Sequence, residues 1–142
     1  MKRISGYIFG LLTAAVLCCC SRKEDNQIQL GPEETVEAFC RAIAAGGFEE
    51  AETLCDTISM AGYIDSYKAQ WEKMMKADSS ATMIAAGMLS SAEMTFTGSS
   101  KDGSRRTMTY VITTETGLKK EKSATVKKEE EGWKVESITD VI

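Results

Sequence analysis

The sequence predicts an α+β fold, with N-terminal helices packed on one face of a curved antiparallel four-stranded sheet. Apolar residues recur at helical spacing between positions 32 and 89, and after Ser90 they alternate with polar residues at the period of two that strands require. Short connections between the later segments favour an antiparallel meander. The chain has 142 residues, and we place one α+β domain at residues 32–142.

The first two predicted helices form a hairpin. Pro32 suits the first helical position, and two following glutamates lie against the positive end of the helix dipole. One apolar face carries Val36, Phe39, Cys40 and Ile43. Gly46-Gly47 then ends the helix, and the same spacing recurs at Phe48, Ala51, Leu54 and Cys55.

Two further helices are predicted before the strands. Ala61 to Ala77 carries one partly apolar face, formed by Ile64, Tyr67, Trp71 and Met74 or Met75. Asp78-Ser79-Ser80 can cap a last helix through Ala81 to Leu89. Met74, Met75, Met83 and Met88 lie at helical spacing, which favours the core over a promiscuous binding surface.

Four strands follow, separated by turn residues. We place them near Ala92 to Phe96, Thr107 to Thr114, Ser123 to Lys128 and Trp133 to Val141, with a loop from Gly98 to Gly103. Lysines are interleaved with glutamates through residues 119–131, as is typical of a solvated face and a charged edge strand. The alternative is a contact edge for an acidic partner.

The N-terminus has the pattern of an export signal. Lys2 and Arg3 precede an apolar run from Ile4 to Leu17, which is shorter than a membrane span. Three cysteines follow, and Leu17-Cys18-Cys19-Cys20 resembles the lipobox of bacterial lipoproteins, in which a leucine lies three residues before the modified cysteine. The resemblance implies a signal peptide at residues 1–19 and a lipid on Cys20, with Cys19 as the alternative.

This resemblance also implies a location. Residues 20–31 would be the lipidated cysteine and a flexible tether, since they are mostly polar and aperiodic. The expected partner is a membrane held through the N-terminal lipid, in the bacterial cell envelope and most simply at the outer membrane, on its periplasmic face or the cell surface.

The domain itself resembles the nuclear transport factor 2-like (cystatin-like) group, and more closely a set of small bacterial lipoproteins whose domain has no assigned function. The matching residues are Pro32 to Phe39, Gly46 to Ala51 and Gly132-Trp133-Lys134-Val135. The resemblance implies a pocket between the helices and the sheet, and some members of the group are isomerases or dehydratases.

Composition narrows the chemistry. The chain contains no histidine, which excludes Ser-His and Cys-His catalysis and the commonest zinc sites. Its net charge is −4, so we expect no nucleic-acid binding. No catalytic residue, metal site or cofactor is predicted, and the favoured function is a non-enzymatic module that binds a small apolar molecule or an envelope protein.

Aromatic residues are the candidates for a pocket lining, namely Tyr63, Tyr67, Trp71, Tyr110 and Trp133. The alternative is that the two tryptophans only fill the core. The rival function is a cofactor-free isomerase or dehydratase, for which Asp65 beside Tyr63 or Tyr67 would be the base.

Cys40 and Cys55 lie on the two arms of the first hairpin. An oxidising envelope would permit a disulfide between them. Both also lie on apolar stripes, where free cysteines are common, so both alternatives stay open.

Overall fold

The computed structural model describes residues 29–141. In that part of the chain four helices precede four strands, as the sequence predicts. They are α1 (Pro32–Ala44), α2 (Phe48–Thr53), α3 (Ala61–Ala77), α4 (Ser79–Ser90), β1 (Glu93–Asp102), β2 (Arg105–Thr113), β3 (Lys119–Glu129) and β4 (Gly132–Asp140). The predicted signal peptide, the cysteines at positions 18–20 and most of the tether lie outside the described residues.

The sheet is an antiparallel meander with strand order β1-β2-β3-β4. Two residues are left without a partner in the ladder. Thr97 lies between the Phe96–Tyr110 and Gly98–Thr109 pairs, and Glu136 lies between two successive pairs of β3 with β4. Such bulges bend the strand that carries them and increase its twist.

The core lies between α1 and one face of this sheet. Val36 and Phe39 of α1 are fully buried, and they join a cluster that includes Tyr110 of β2, Val126 of β3 and Val135 of β4. The α+β prediction with helices on one sheet face is therefore confirmed. The other face carries hydroxyl pairs such as Thr107–Thr125, whose oxygens lie 3.1 Å apart.

The turn between α1 and α2 depends on a close contact with α3. Gly46 has a φ of +80°, a conformation that L side chains rarely adopt. A Cβ atom there would lie 2.6 Å from the Trp71 ring. Glycine therefore lets the indole of α3 pack directly on the backbone of the turn.

The loop after α2 binds the outer edge of β4. Helix α2 ends at Thr53, so Leu54 and Cys55 do not continue the helical stripe that the sequence predicts. Instead Val135 N donates to Leu54 O at 3.0 Å, and Asp56 N donates to Val135 O at 2.8 Å. This single parallel bridge ties the helical layer to the last strand.

Two strand predictions are wrong. Residues 98–102 are not a loop, because they pair with β2 down to Asp102–Arg105 and the turn is only Gly103-Ser104. The lysine-rich segment is not an edge strand, because β3 is hydrogen-bonded on both sides and the edges are β1 and β4. No helix among residues 29–141 is long and apolar enough to cross a membrane.

Candidate functional site

An apolar cavity of about 170 Å³ lies between the helices and the sheet. The second half of α1, the start of α3, the end of α4 and the adjoining ends of the first three strands form its walls. The lining residues are Cys40, Arg41, Ile43, Ala44, Tyr63, Tyr67, Leu89, Ala92, Met94, Ile112 and Lys122. A cavity of this size can hold a molecule of about the size of benzene.

Two tyrosines of α3 form one wall. The ring centroids of Tyr63 and Tyr67 lie 4.8 Å apart, and Tyr63 also packs on Phe39 of the core at 5.9 Å. Burial raises the pKa of the Tyr63 phenol well above its ordinary value, with a further contribution from Tyr67. The Tyr63 hydroxyl is therefore uncharged at neutral pH, and both tyrosine side chains line the cavity.

A half-buried cysteine lies in the α1 wall. The Cys40 sulfur is 3.5 Å from the Tyr110 hydroxyl oxygen, and the Tyr110 side chain is fully buried under the cavity. Burial raises the pKa of the Cys40 thiol and of the Tyr110 phenol. The pair is therefore uncharged at neutral pH, and the thiol is a poor nucleophile there.

Arg41 lines the cavity but is already bound within the fold. Its guanidinium donates to the Ser90 carbonyl, to the Ala92 carbonyl at 3.1 Å, and twice to Glu37 Oε2 at 3.0 and 2.7 Å. Arg41 thus fastens the connection between α4 and β1 to helix α1, and its role is structural.

Lys122 is the other cation in the lining. It lies on the helix-facing side of β3, in register with Tyr110 of β2 and Asp140 of β4. Its side chain is 17% exposed, and its ammonium nitrogen is 2.8 Å from Asp140 Oδ1. That contact lowers the pKa of the Asp140 carboxyl group.

A second apolar cavity, of about 140 Å³, adjoins the first under α3 and α4. The two share four wall residues, which are Ile43, Ala44, Tyr67 and Leu89. Phe48, Trp71 and Met74 lie in the walls of the second cavity. The two cavities are therefore neighbours with a common wall, and we call the pair the α1–α4 groove.

The five predicted aromatic residues are divided among different places. Tyr63 and Tyr67 line the first cavity, and Trp71 lines the second with Tyr67. The five residues do not form one pocket lining as predicted. Tyr110 is fully buried and lines neither cavity, and Trp133 lies elsewhere. Trp133 lies in a more polar cleft with Leu30 and Thr53, at the far end of β4 from the cavity.

The surroundings of Trp133 are cationic. The guanidinium carbon of Arg106 lies 5.5 Å from its ring centroid and the Lys128 nitrogen lies 5.2 Å away, both within the range of a cation–π contact. The indole also packs against the margin of the core. Trp133 is therefore half-buried, and it lines this cleft instead of the apolar cavity.

The fold is similar to the solution structure of a SEC-C motif containing protein from Rhodopseudomonas palustris. The TM-score is 0.50 and the sequence identity 18%, over 79% of this chain and 80% of that chain. No protein-family model matches the chain, and no curated protein matches it significantly. The likeness therefore concerns the fold alone.

The carboxylate proposed for the rival enzyme lies outside the cavity. Asp65 is exposed on α3, and the residues that line the first cavity include no Asp or Glu. Within residues 29–141, no three His, Cys, Asp or Glu side chains gather into a group that could hold a metal ion.

Cys55 and Cys40 contact different groups. Both cysteines are free thiols in the structure. The sulfur of Cys55 lies 3.9 Å from Glu52 O, whereas that of Cys40 contacts Tyr110. Burial, with smaller contributions from Glu52 and Asp56, raises the pKa of the Cys55 thiol to about 11.

Several wall residues were not identified from the sequence. Alternation of apolar and polar residues places Met94 and Ile112 on the inner faces of their strands, but it does not indicate a cavity. Lys122 was counted with the solvated lysines, because only the pairing of β3 with β2 and β4 places its side chain against the helices.

Proposed function

We propose that this protein is a lipid-anchored lipoprotein of the bacterial envelope, whose nuclear transport factor 2-like domain binds a small apolar molecule in the first cavity. The observation that carries the binding function is the cavity itself, whose walls are apolar apart from a thiol, two tyrosine hydroxyls and two cations. Known ligand sites combine apolar walls with a few polar groups in the same way. A non-enzymatic role fits a lining without a carboxylate and with a thiol that stays protonated.

The fold assignment within this proposal rests on two features. Helices precede the strands and cover one face of the meander, and the cavity lies between those layers. The segments Pro32 to Phe39 and Gly132 to Val135 resemble that fold group. The resemblance implies both features.

Toluene tests the binding function, because it is uncharged and close in size to the ligands that such cavities accept. We expect saturable shifts of the Tyr63 and Tyr67 ring resonances during an NMR titration. Ala44→Leu fills part of both cavities and should weaken toluene binding at least tenfold. Ala38→Leu, on the same helix but outside both linings, is the matched control. Shifts that do not saturate, or equal affinities for the two variants, would refute the binding function.

The anchor is tested in a bacterial host that processes lipoproteins. Replacing Cys20 by Ala should abolish incorporation of a labelled fatty acid and release the protein from the membrane fraction, because the thiol that accepts the lipid is gone. Cys19→Ala is the control and should leave labelling intact. Undiminished labelling of the Cys20→Ala variant would move the anchor to Cys19 or Cys18, and a wild-type protein without label would refute the lipid anchor.

A further inference from the structure

The residues of the α1–α4 groove indicate the chemical class of its ligand. We infer that its ligand is a single-chain amphiphile with an anionic head group, whose tail lies along the two adjoining cavities and whose head meets the ammonium group of Lys122. This inference rests on the proposed binding function and adds the ligand class to it.

The length of the groove indicates the chain-like tail. Lys122 and Ile112 of the sheet line only the first cavity, and Trp71 and Met74 of α3 line only the second. Tyr67 and Leu89 line both, so these side chains lie between the two cavities. A compact ring would occupy one cavity, whereas an acyl or alkyl chain can extend through both and bury more apolar area at about 25 cal/mol per Å².

Lys122 supplies the charge preference. Its ammonium group carries three donors, of which the contact with Asp140 uses one. The Asp140 side chain is 59% exposed and does not line the cavity, whereas Lys122 does. The other cation in the lining, Arg41, has its donors bound to Glu37 and to two backbone carbonyls. An anionic head group would therefore bind at Lys122.

Exposed apolar side chains continue the groove to the surface. Leu89 is 52% exposed and Met74 is 44% exposed, although both belong to its walls. Helix α4 contains no charged residue, and Met83, Ile84 and Met88 extend its exposed apolar surface. An amphiphile can therefore exchange its tail between solvent and groove along an apolar surface.

Matched ten-carbon ligands test the head group. Binding of decanoate, decanol and decyltrimethylammonium is measured by calorimetry on the full chain, below the concentration at which each ligand forms micelles. We expect decanoate to bind about tenfold more tightly than decanol, because a partly buried charge-assisted hydrogen bond is roughly twice as strong as a neutral one. The cationic ligand should bind most weakly of the three.

Lys122→Met keeps the aliphatic stem and removes the charge. It should bring the affinity for decanoate down to that for decanol. Lys119→Met, on the exposed opposite face of the same strand, is the control and should retain the preference for decanoate. An equal affinity of the wild type for decanoate and decanol, or an undiminished preference in Lys122→Met, would overturn the assignment of the head group.

The tail is tested separately. Affinity should rise steeply from hexanoate to decanoate in the wild type, and Ala86→Leu, which narrows only the second cavity, should flatten that rise. Ala81→Leu, exposed on the same helix, is the control. A ten-carbon chain that binds no better than a six-carbon chain would refute a tail spanning both cavities.

Toluene separates failure of this inference from failure of the proposed function. Toluene binding without any dependence of affinity on chain length or head group would leave the proposed function intact and refute this inference. Loss of toluene binding would refute both.

Decyl phosphate distinguishes two kinds of anionic amphiphile, which differ in their head group. Preference for decanoate would indicate a free fatty acid, and preference for the phosphate would indicate the head group of a single-chain phospholipid. Either result supports an anionic amphiphile. Failure of both to bind more tightly than decanol would contradict it.

Discussion

Gly46 shows how one residue can carry two constraints. Its φ of +80° and the Trp71 ring beside it both exclude a side chain. We expect Gly46→Ala to lower the free energy of unfolding by about 3 kcal/mol, because the left-handed backbone and the overpacked ring each cost about 1–2 kcal/mol. Gly117→Ala is the control: Gly117 has a φ of +85° with open space around it, so only the backbone cost of about 1 kcal/mol applies.

Urea unfolding of both variants measures these costs. If Gly46→Ala and Gly117→Ala lose the same stability, the contact between Trp71 and the turn contributes nothing and the close packing described above is wrong.

The two cysteines are expected to react slowly with alkylating reagents. Burial raises the pKa of both thiols, that of Cys55 to about 11, so little thiolate is present at neutral pH. Iodoacetamide labelling of the native protein should therefore be much slower than of the urea-unfolded protein and should accelerate as the pH rises. Peptide mass spectrometry distinguishes the two sites, and a Cys40–Cys55 peptide pair without reductant would contradict the free thiols.

At the scale of single residues, the sequence predicted the cavity only in part. Tyr63 and Tyr67 could be found because helical spacing places them four residues apart on one face of α3. Trp133 and Lys122 could not be assigned correctly, because their surroundings depend on which strands pair and where the bulge at Glu136 shifts the register. A pattern of period two assigns a face to a residue but not its position across the sheet.

Among the connections between elements, the one between α4 and β1 depends on Arg41. Its hydrogen bonds to the Ser90 and Ala92 carbonyls close the gap between helix and strand. We expect Arg41→Met to destabilise the fold by about 2 kcal/mol, since hydrogen bonds from a charged donor contribute about 1.5–3 kcal/mol when partly buried. Hydrogen exchange should accelerate most around residues 88–93.

Glu37→Gln is the matched control for this connection. It weakens the ion pair with Arg41, whose members are 34% and 41% exposed, but it keeps the carbonyl contacts. Its cost should stay below about 1 kcal/mol. A larger loss in Glu37→Gln than in Arg41→Met would show that the ion pair, and not the carbonyl contacts, holds the connection.

The helices follow their sequence signals more closely than the strands do. Helix α3 has the predicted ends at Ala61 and Ala77, whereas β1 runs on through Gly98 and the two serines after it because pairing with β2 outweighs the low strand propensity of glycine. The methionines of α4 were expected in the core, yet Met83 is 55% exposed. Helix α4 is apolar on nearly every face, so periodicity could not indicate which face is buried.

For the molecule as a whole, the acid side of the stability curve should depend on Asp56. Backbone N–H groups of Ser59 and Ile58 lower the pKa of its carboxyl group below the usual 3.8. The unfolded chain then takes up the proton first as the pH falls, so this stabilisation is present above the unfolded pKa and is lost as the pH falls through the folded one. Lys122 lowers the pKa of the Asp140 carboxyl group, so the stabilisation from Asp140 is also lost as the pH falls.

Urea midpoints between about pH 7 and about pH 2.5 measure this dependence. Asp56→Asn should be less stable than the wild type at neutral pH and should lose less stability on acidification. Asp65→Asn, at an exposed position of α3, is the control and should follow the wild type. Parallel curves for wild type and Asp56→Asn would refute the role of this carboxylate.

The bridge between the α2–α3 loop and β4 affects how copies of the protein meet one another. An edge strand with free N–H and C=O groups can pair with the edge of another molecule. On β4, the outward-facing groups of Val135 are already bound to Leu54 and Asp56, and on β1 the bulge at Thr97 interrupts the ladder. Both edges are thus poor templates for intermolecular sheets, which keeps the protein from aggregating edge to edge at high concentration.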